Sequence, residues 1–233
     1  MKIVDIKTMK GPNYWSVRRH HLTVMVLDLE EMEQFPTNKI DGFGERLEAM
    51  FPTMYSHRCS IGCEGGFFQR VKEGTWMGHV IEHIALEIQT LAGMDVGFGR
   101  TRTYGEEGVY FVVFNHMVGK VGEYAAKASF RIAEALIANK EYDLDEDIMN
   151  MKEIRQNEGL GPSTSSIIKE AEARGIPWIR LNKYSLCQLG YGANQKRIQA
   201  TVTSETSNIG VEIACDKEET KDLLEQAEVP IPK

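Results

Sequence analysis

Apolar residues along this chain recur with two periods, and the switches between them outline its elements. Lys2 to Met9, with Ile3, Val4 and Ile6, and His21 to Leu29, with Leu22, Val24, Val26 and Leu27, have the β-rich alternation of strands. Phe43, Leu47 and Phe51 stand four residues apart and predict a short helix. Val109 to Phe114 is continuously apolar and predicts a buried strand. Val121 to Asn139 places Ala125, Ala128, Ile132, Ala135 and Leu136 on one helical face. Glu141 to Glu158 is acidic, with only Met149, Met151 and Ile154 as a weak stripe, and reads as a linker or a surface helix. A second unit follows. Its helix runs from Thr164 to Arg174 behind a Ser163 cap. Strands are expected at Trp178–Leu181 and Gln199–Thr203 around a Gly190-Tyr191-Gly192 turn, and a last helix from Asp216 to about Gln226. Strands mixed with helices give an α/β fold class.

The most informative stretch is Gly78 to Ile88, which contains His79-x-x-Glu82-His83. On a helix, His79 and His83 lie one turn apart on one face, and Glu82 falls about 60° to the side of His79. Val80, Ile81, Ile84, Ala85, Ile88, Leu91 and Ala92 fill the opposite arc. Such a helix would pack on one side and present three polar groups on the other. H-x-x-E-H is the inverted form of a zinc-hydrolase motif. Two neutral imidazoles and a third protein ligand leave a fourth tetrahedral position for water. The metal lowers that water's pKa toward ~7, and a neighbouring carboxylate takes its proton. Five residues alone serve packed histidines equally well.

A third ligand is expected from His57 to Phe67, a glycine-rich, loop-like stretch holding His57, Cys59 and Cys63. Cys59 is the choice; Cys63 and His57 stay open. Both cysteines with both histidines would make a closed, structural zinc site. Ala92 to Arg102 reads as a glycine-rich connection. Its Gly97-Phe98-Gly99 completes no phosphate fingerprint. Arg100 and Arg102 are of the type that holds a substrate carboxylate or polarises a carbonyl oxygen; an ordinary exposed arginine is the plainer alternative. The Arg18-Arg19-His20-His21 cluster reads as a solvated strand end.

Composition narrows the partners. The 233 residues carry a net charge of −7, which argues against general nucleic-acid binding. No apolar run approaches the ~20 residues that span a bilayer. Charges at Lys2, Asp5 and Lys7 break any signal-peptide core, and four cysteines without a secretory signal read as reduced thiols. A cytoplasmic protein is expected.

Several motifs in order carry a resemblance over essentially the whole chain. Gly11-Pro12-Asn13-Tyr14-Trp15-Ser16, the Cys59-to-Gly66 loop and the Gly78-to-His83 helix resemble the N-terminal domain of the cyanophycin synthetase family. So do Val96-to-Arg102, Gly161-Pro162-Ser163-Thr164, Gln188-to-Gly192 and Cys215-Asp216-Lys217 with Thr220-Lys221. The resemblance implies an α+β N-terminal domain at 1–160 with a metal-dependent hydrolytic site. It implies that 161–233 holds the first α/β elements of an ATP-grasp ligase domain, incomplete here. By position it implies Cys59, His79 and His83 as Zn2+ ligands, Glu82 as general base and Arg100 as a substrate or oxyanion contact. Lys217 resembles a nucleotide-contacting lysine, with ATP and Mg2+ used only in a full-length ligase. The implied partner is cyanophycin, an aspartyl-arginine polymer cut into primers, and the implied assembly a homo-oligomer. A non-catalytic module that binds polymer or builds the oligomer is the alternative. The chain alone is not expected to ligate.

Overall fold

The computed structural model describes residues 1–11, 13–17 and 21–231. It divides into two compact units, Met1–Gly159 and Leu160–Lys233. The α/β class holds in both.

The first unit is built on a four-stranded antiparallel sheet. Its strands are β1 (Lys2–Met9), β2 (Leu22–Asp28), β3 (Gly99–Thr103) and β4 (Val109–Asn115), in the order β1-β2-β4-β3. Alternation along the strands sorts two cores. Met25, Leu27, Val112 and Phe114 face the main core, while Leu22, Val24 and Val113 join Trp15 in a smaller cluster. Helices α1 (Phe43–Met50), α2 (Gly66–Glu73), α3 (Met77–Leu91), α4 (Gly119–Ile137) and α5 (Leu144–Glu158) complete the unit. α3 packs on β3, β4 and α4, and α4 also covers β1 and β2.

Two stretches are settled or corrected here. Of the two readings of the acidic stretch, the surface helix holds and the linker does not: α5 is a mostly exposed helix anchored by fully buried Met151. Its weak stripe suffices because buried Asp147 accepts hydrogen bonds from Tyr124 (2.6 Å), Tyr142 (2.5 Å) and Arg131 (2.7 Å), tying α5 to α4. The glycine-rich connection ends in β3, an edge strand whose Gly-Arg-Thr-Arg-Thr sequence lacks apolar alternation. Of the basic cluster, Arg18, Arg19 and His20 lie outside the described residues, as does Pro12 of the early turn.

The second unit holds α6 (Pro162–Ala173) and the antiparallel meander β5 (Trp178–Arg180), β6 (Leu186–Leu189), β7 (Lys196–Gln199) and β8 (Val202–Thr203). α7 (Asn208–Cys215) and α8 (Lys217–Gln226) follow. Ile168, Cys187 and Ile198 form its small core. Ser163 does not cap α6: Gly161 does, with Pro162 in the first turn, where a missing N–H costs nothing. The expected Gln199–Thr203 strand is a hairpin. Gln199 pairs with Val202, and Ala200 takes a left-handed φ of 53° in the turn between them.

Just after β4, His116 is buried with its Nδ1 2.9 Å from Thr23 Oγ1. Burial first, then the positive charges of His21 and Lys10, push its pKa down to about 3 from 6.5. Between those values the unfolded chain binds more protons than the folded one, so stability is full above the window and is lost as pH falls through it. Unfolding free energy should therefore drop by up to about 1.4 kcal/mol per pH unit on acidification below pH 6.5. Urea titrations at pH 7, 5.5 and 4 check this; equal midpoints would contradict it, and His116→Gln should flatten the slope.

Candidate metal centre

α3 is the central helix of the first unit. It starts without a side-chain cap at Trp76, and residues Met77, Gly78 and Val80 through Gln89 are all buried. The expected split into a packed face and an open face is therefore wrong for most of its length. The sheet covers one side, and the segment from Phe51 to Phe67 contributes side chains to the other. Glu82 and His83 are only 5% and 7% exposed, and His79 is half-buried.

Cys59 arrives from a pinned turn rather than a loose loop. Gly65 N–H donates to Tyr55 O, Phe67 N–H to His57 O and Gly62 N–H to Arg58 O, folding residues 55–65 back against the first turn of α2. Gly66 is required there, since a Cβ would stand 2.4 Å from Arg58 O. Cys59 opens a short 3₁₀ turn with φ at 52°, a region that side-chain-bearing residues rarely occupy. Such strain persists where surrounding structure holds it.

These two segments bring Cys59, His79 and His83 together, with one ligand atom from each lying within 4.8 Å of the others. Cys59 Sγ is 3.2 Å from His79 Nε2, and the two imidazoles stand edge to face, 4.8 Å between centroids. Bonds of ~2.3 Å to sulfur and ~2.05 Å to nitrogen at tetrahedral angles would separate S and N by ~3.6 Å. The donor set thus fits a divalent ion with little adjustment. Cys63 is exposed and outside this cluster, so among the described residues the fold gathers three ligands rather than a closed set of four.

The outer nitrogens are already engaged. His79 Nδ1 is 3.0 Å from Thr75 Oγ1, and His83 Nδ1 is 2.9 Å from His57 Nδ1. Nε2 is left on each ring for a metal, the arrangement by which second partners orient histidine ligands. His57 is therefore a neighbour of His83 rather than part of the cluster. Its Nε2 lies 2.8 Å from Glu87 Oε2, and Thr53 donates to the other Glu87 oxygen. Burial works against the Glu87 charge, but the hydrogen bonds from His57 and Thr53 outweigh it and hold the carboxyl below its ordinary value. Phe67 stacks on His83 at 4.1 Å and meets His79 edge-on. Burial, aided by Arg70, pushes the His79 pKa down to about 4. Burial, then the repulsion that a protonated His79 or His57 would add, drives His83 well below its ordinary value. Both rings are neutral at pH 7, as ligands must be.

Glu82 is not in the three-ligand cluster. Its Oε2 accepts a 2.6 Å hydrogen bond from Thr101 on β3, beside Gly99, where a Cβ would come within 2.3 Å of Oε1. Burial pushes its pKa up to about 7, against the opposing influence of Thr101, Arg102 and Arg100. Arg100 and Arg102 alternate with Thr101 and leave β3 on the other face. Arg100 is exposed, with its guanidinium 5.7 Å from the Phe98 ring centre. Lys217 opens α8 in the second unit and is exposed. Sequence reasoning missed Thr53, Phe67, Thr75, Glu87 and Thr101. Glu87 alone left a signal, four residues beyond His83 on the same helical face.

An α+β domain that draws a thiol and two neutral imidazoles to one half-buried point belongs to the class of candidate metalloproteins. Residues 24–138 match the Cyanophycin synthase-like N-terminal domain. Over its whole length it is 50% identical to the cyanophycin synthetase of Trichormus variabilis, 51% to that of Geminocystis herdmanii and 47% to that of a Synechocystis species. The chain spans about a quarter of the length of these curated relatives, 26% to 27%.

Proposed function

We propose that this chain is the front part of a cyanophycin-synthesising ligase and is itself a zinc-dependent peptide hydrolase that cuts cyanophycin into primers. The observation that carries this reading is the convergence of Cys59, His79 and His83 beside a buried carboxylate on the same helix. A thiolate with two imidazoles suits Zn2+. When bound, the ion supplies Lewis acidity toward water and toward a carbonyl. Glu82 takes a proton from the attacking water and returns it to the departing nitrogen as the C–O bond forms and the C–N bond breaks. Thr101 orients that carboxylate, and burial keeps its proton affinity close to working pH. Arg100, exposed on the edge strand, contacts the carboxylates of the polymer.

The charge of −7 is no obstacle to a polymer bearing equal numbers of carboxylates and guanidinium groups. ATP, Mg2+ and a role for Lys217 belong to the full-length ligase, in which this part would serve a cytoplasmic homo-oligomer. No helix of the described residues is long and apolar enough to cross a membrane. A second reading, a module that holds polymer or builds the oligomer without cutting, draws on the position of Glu82, which is bonded to Thr101 and outside the ligand cluster. Incubating the chain with cyanophycin separates the two. Short peptides that appear with zinc and vanish with a chelator support hydrolysis; intact polymer under both conditions overturns it.

A further inference from the structure

The geometry points to His57 and Glu87 as positioning residues that fix the tautomer of His83 and so keep its Nε2 open to a metal. The inference rests on the metal-site reading above and adds two residues to it. His79, His83 and Glu87 are spaced four apart on α3, so the carboxylate sits one turn beyond the second imidazole on the same face. His57 bridges the two, with Nδ1 2.9 Å from His83 Nδ1 and Nε2 2.8 Å from Glu87 Oε2. Glu87 is 2% exposed, and its other oxygen accepts from the Thr53 hydroxyl.

Donor and acceptor counting makes the chain directional. An ionised carboxylate only accepts, so His57 Nε2 carries a hydrogen toward Glu87. Of the two Nδ1 atoms 2.9 Å apart, one must carry the hydrogen and the other must not; with the His57 hydrogen on Nε2, its Nδ1 accepts. His83 must place its own hydrogen on Nδ1 to fill that bond, and its Nε2 is left with a free lone pair. The opposite order, with His57 donating from both nitrogens, would put the His83 hydrogen on Nε2 and block ligation there. An isolated imidazole has no such constraint. The Glu87–His57 pair therefore prepares His83 before any ion arrives, as carboxylate and carbonyl partners do for histidine ligands elsewhere.

Nitrogen NMR of the metal-free chain reads the tautomer directly. Wild type should show His83 with hydrogen on Nδ1, and His57→Leu should move it toward Nε2. Zinc competition against a chromophoric chelator supplies the second readout. His57→Leu and Glu87→Gln, the latter turning an acceptor into a group that also donates, should weaken zinc about 10- to 100-fold. His57→Asn keeps an acceptor near the Nδ1 position and should recover part of the loss. Thermal melts of the metal-free variants identify any that fail to fold; the wild-type tautomer and Glu87→Gln then decide the matter. Hydrogen on His83 Nε2 in wild type, or zinc affinity within about threefold across folded variants, overturns the inference. Failure of wild type to bind zinc overturns the metal site itself, a distinguishable result.

Discussion

Glu82→Gln is expected to slow cleavage of cyanophycin by about 10²- to 10⁴-fold, the range over which a positioned acid–base group acts. The amide keeps the shape of the carboxylate and can still bond to Thr101, so the fold and the zinc content should not change. What is lost is proton transfer. Gly99→Ala offers an independent approach to the same group, because its Cβ would meet the Glu82 carboxylate 2.3 Å away and push it from its seat on β3. Its activity should fall as well, with the Cys59, His79 and His83 ligands untouched. Initial rates of peptide release, paired with metal analysis of each variant, measure both. Unchanged rates in Glu82→Gln would remove it from the chemistry.

Phe67→Ala should carry the largest cost in stability. The ring is fully buried, stacks on His83 and packs beside Phe68, His79 and His57. Truncating a phenylalanine in such a core costs about 3–5 kcal/mol, through lost burial and the cavity left behind. The same cavity frees the His83 ring, so zinc affinity should fall with stability. Phe67→Leu refills most of the space and should recover most of the folding energy but not the stacking on the imidazole. Urea midpoints of the metal-free proteins isolate the first effect, and chelator competition the second. A loss of unfolding free energy under about 1 kcal/mol for Phe67→Ala would contradict this packing.

How far the sequence could be read depended on whether a residue's role was written in a period. β1 and β2 follow from alternation, β4 from its continuous apolar run, and α1 and α4 from apolar residues on one helical face; each is present within a residue or two of its expected bounds. α3 was equally legible as a helix, but its burial was not, because Glu82, His83, Glu87 and Gln89 are buried on the face that polarity assigned to solvent. α2 hid behind Gly65 and Gly66, which look like loop residues and instead let the Cys59 turn close against the helix start. β3 has no apolar alternation and exists because β4 pairs with it. In the second unit, Cys187 and Ile198 are buried from strands too short to show a period.

The candidate site followed the same rule. His79 and His83 came from helical spacing, and Cys59 from the choice among three ligand-type residues in one nearby stretch. Their approach within 4.8 Å could not be read from spacing, since it depends on the backbone bonds that fold 57–67 back on itself. Partners that act through another side chain left almost no trace. Thr75 and Thr101 are ordinary threonines until the fold sets them against His79 and Glu82.

Zinc content of the purified chain, measured beside Cys59→Ala and His83→Ala, tests the central claim most directly. Wild type should hold close to one zinc per chain and either variant should lose most of it, with metal-free melting temperatures that show all three folded. Wild type with little zinc after loading, or variants that keep as much as wild type, would contradict it.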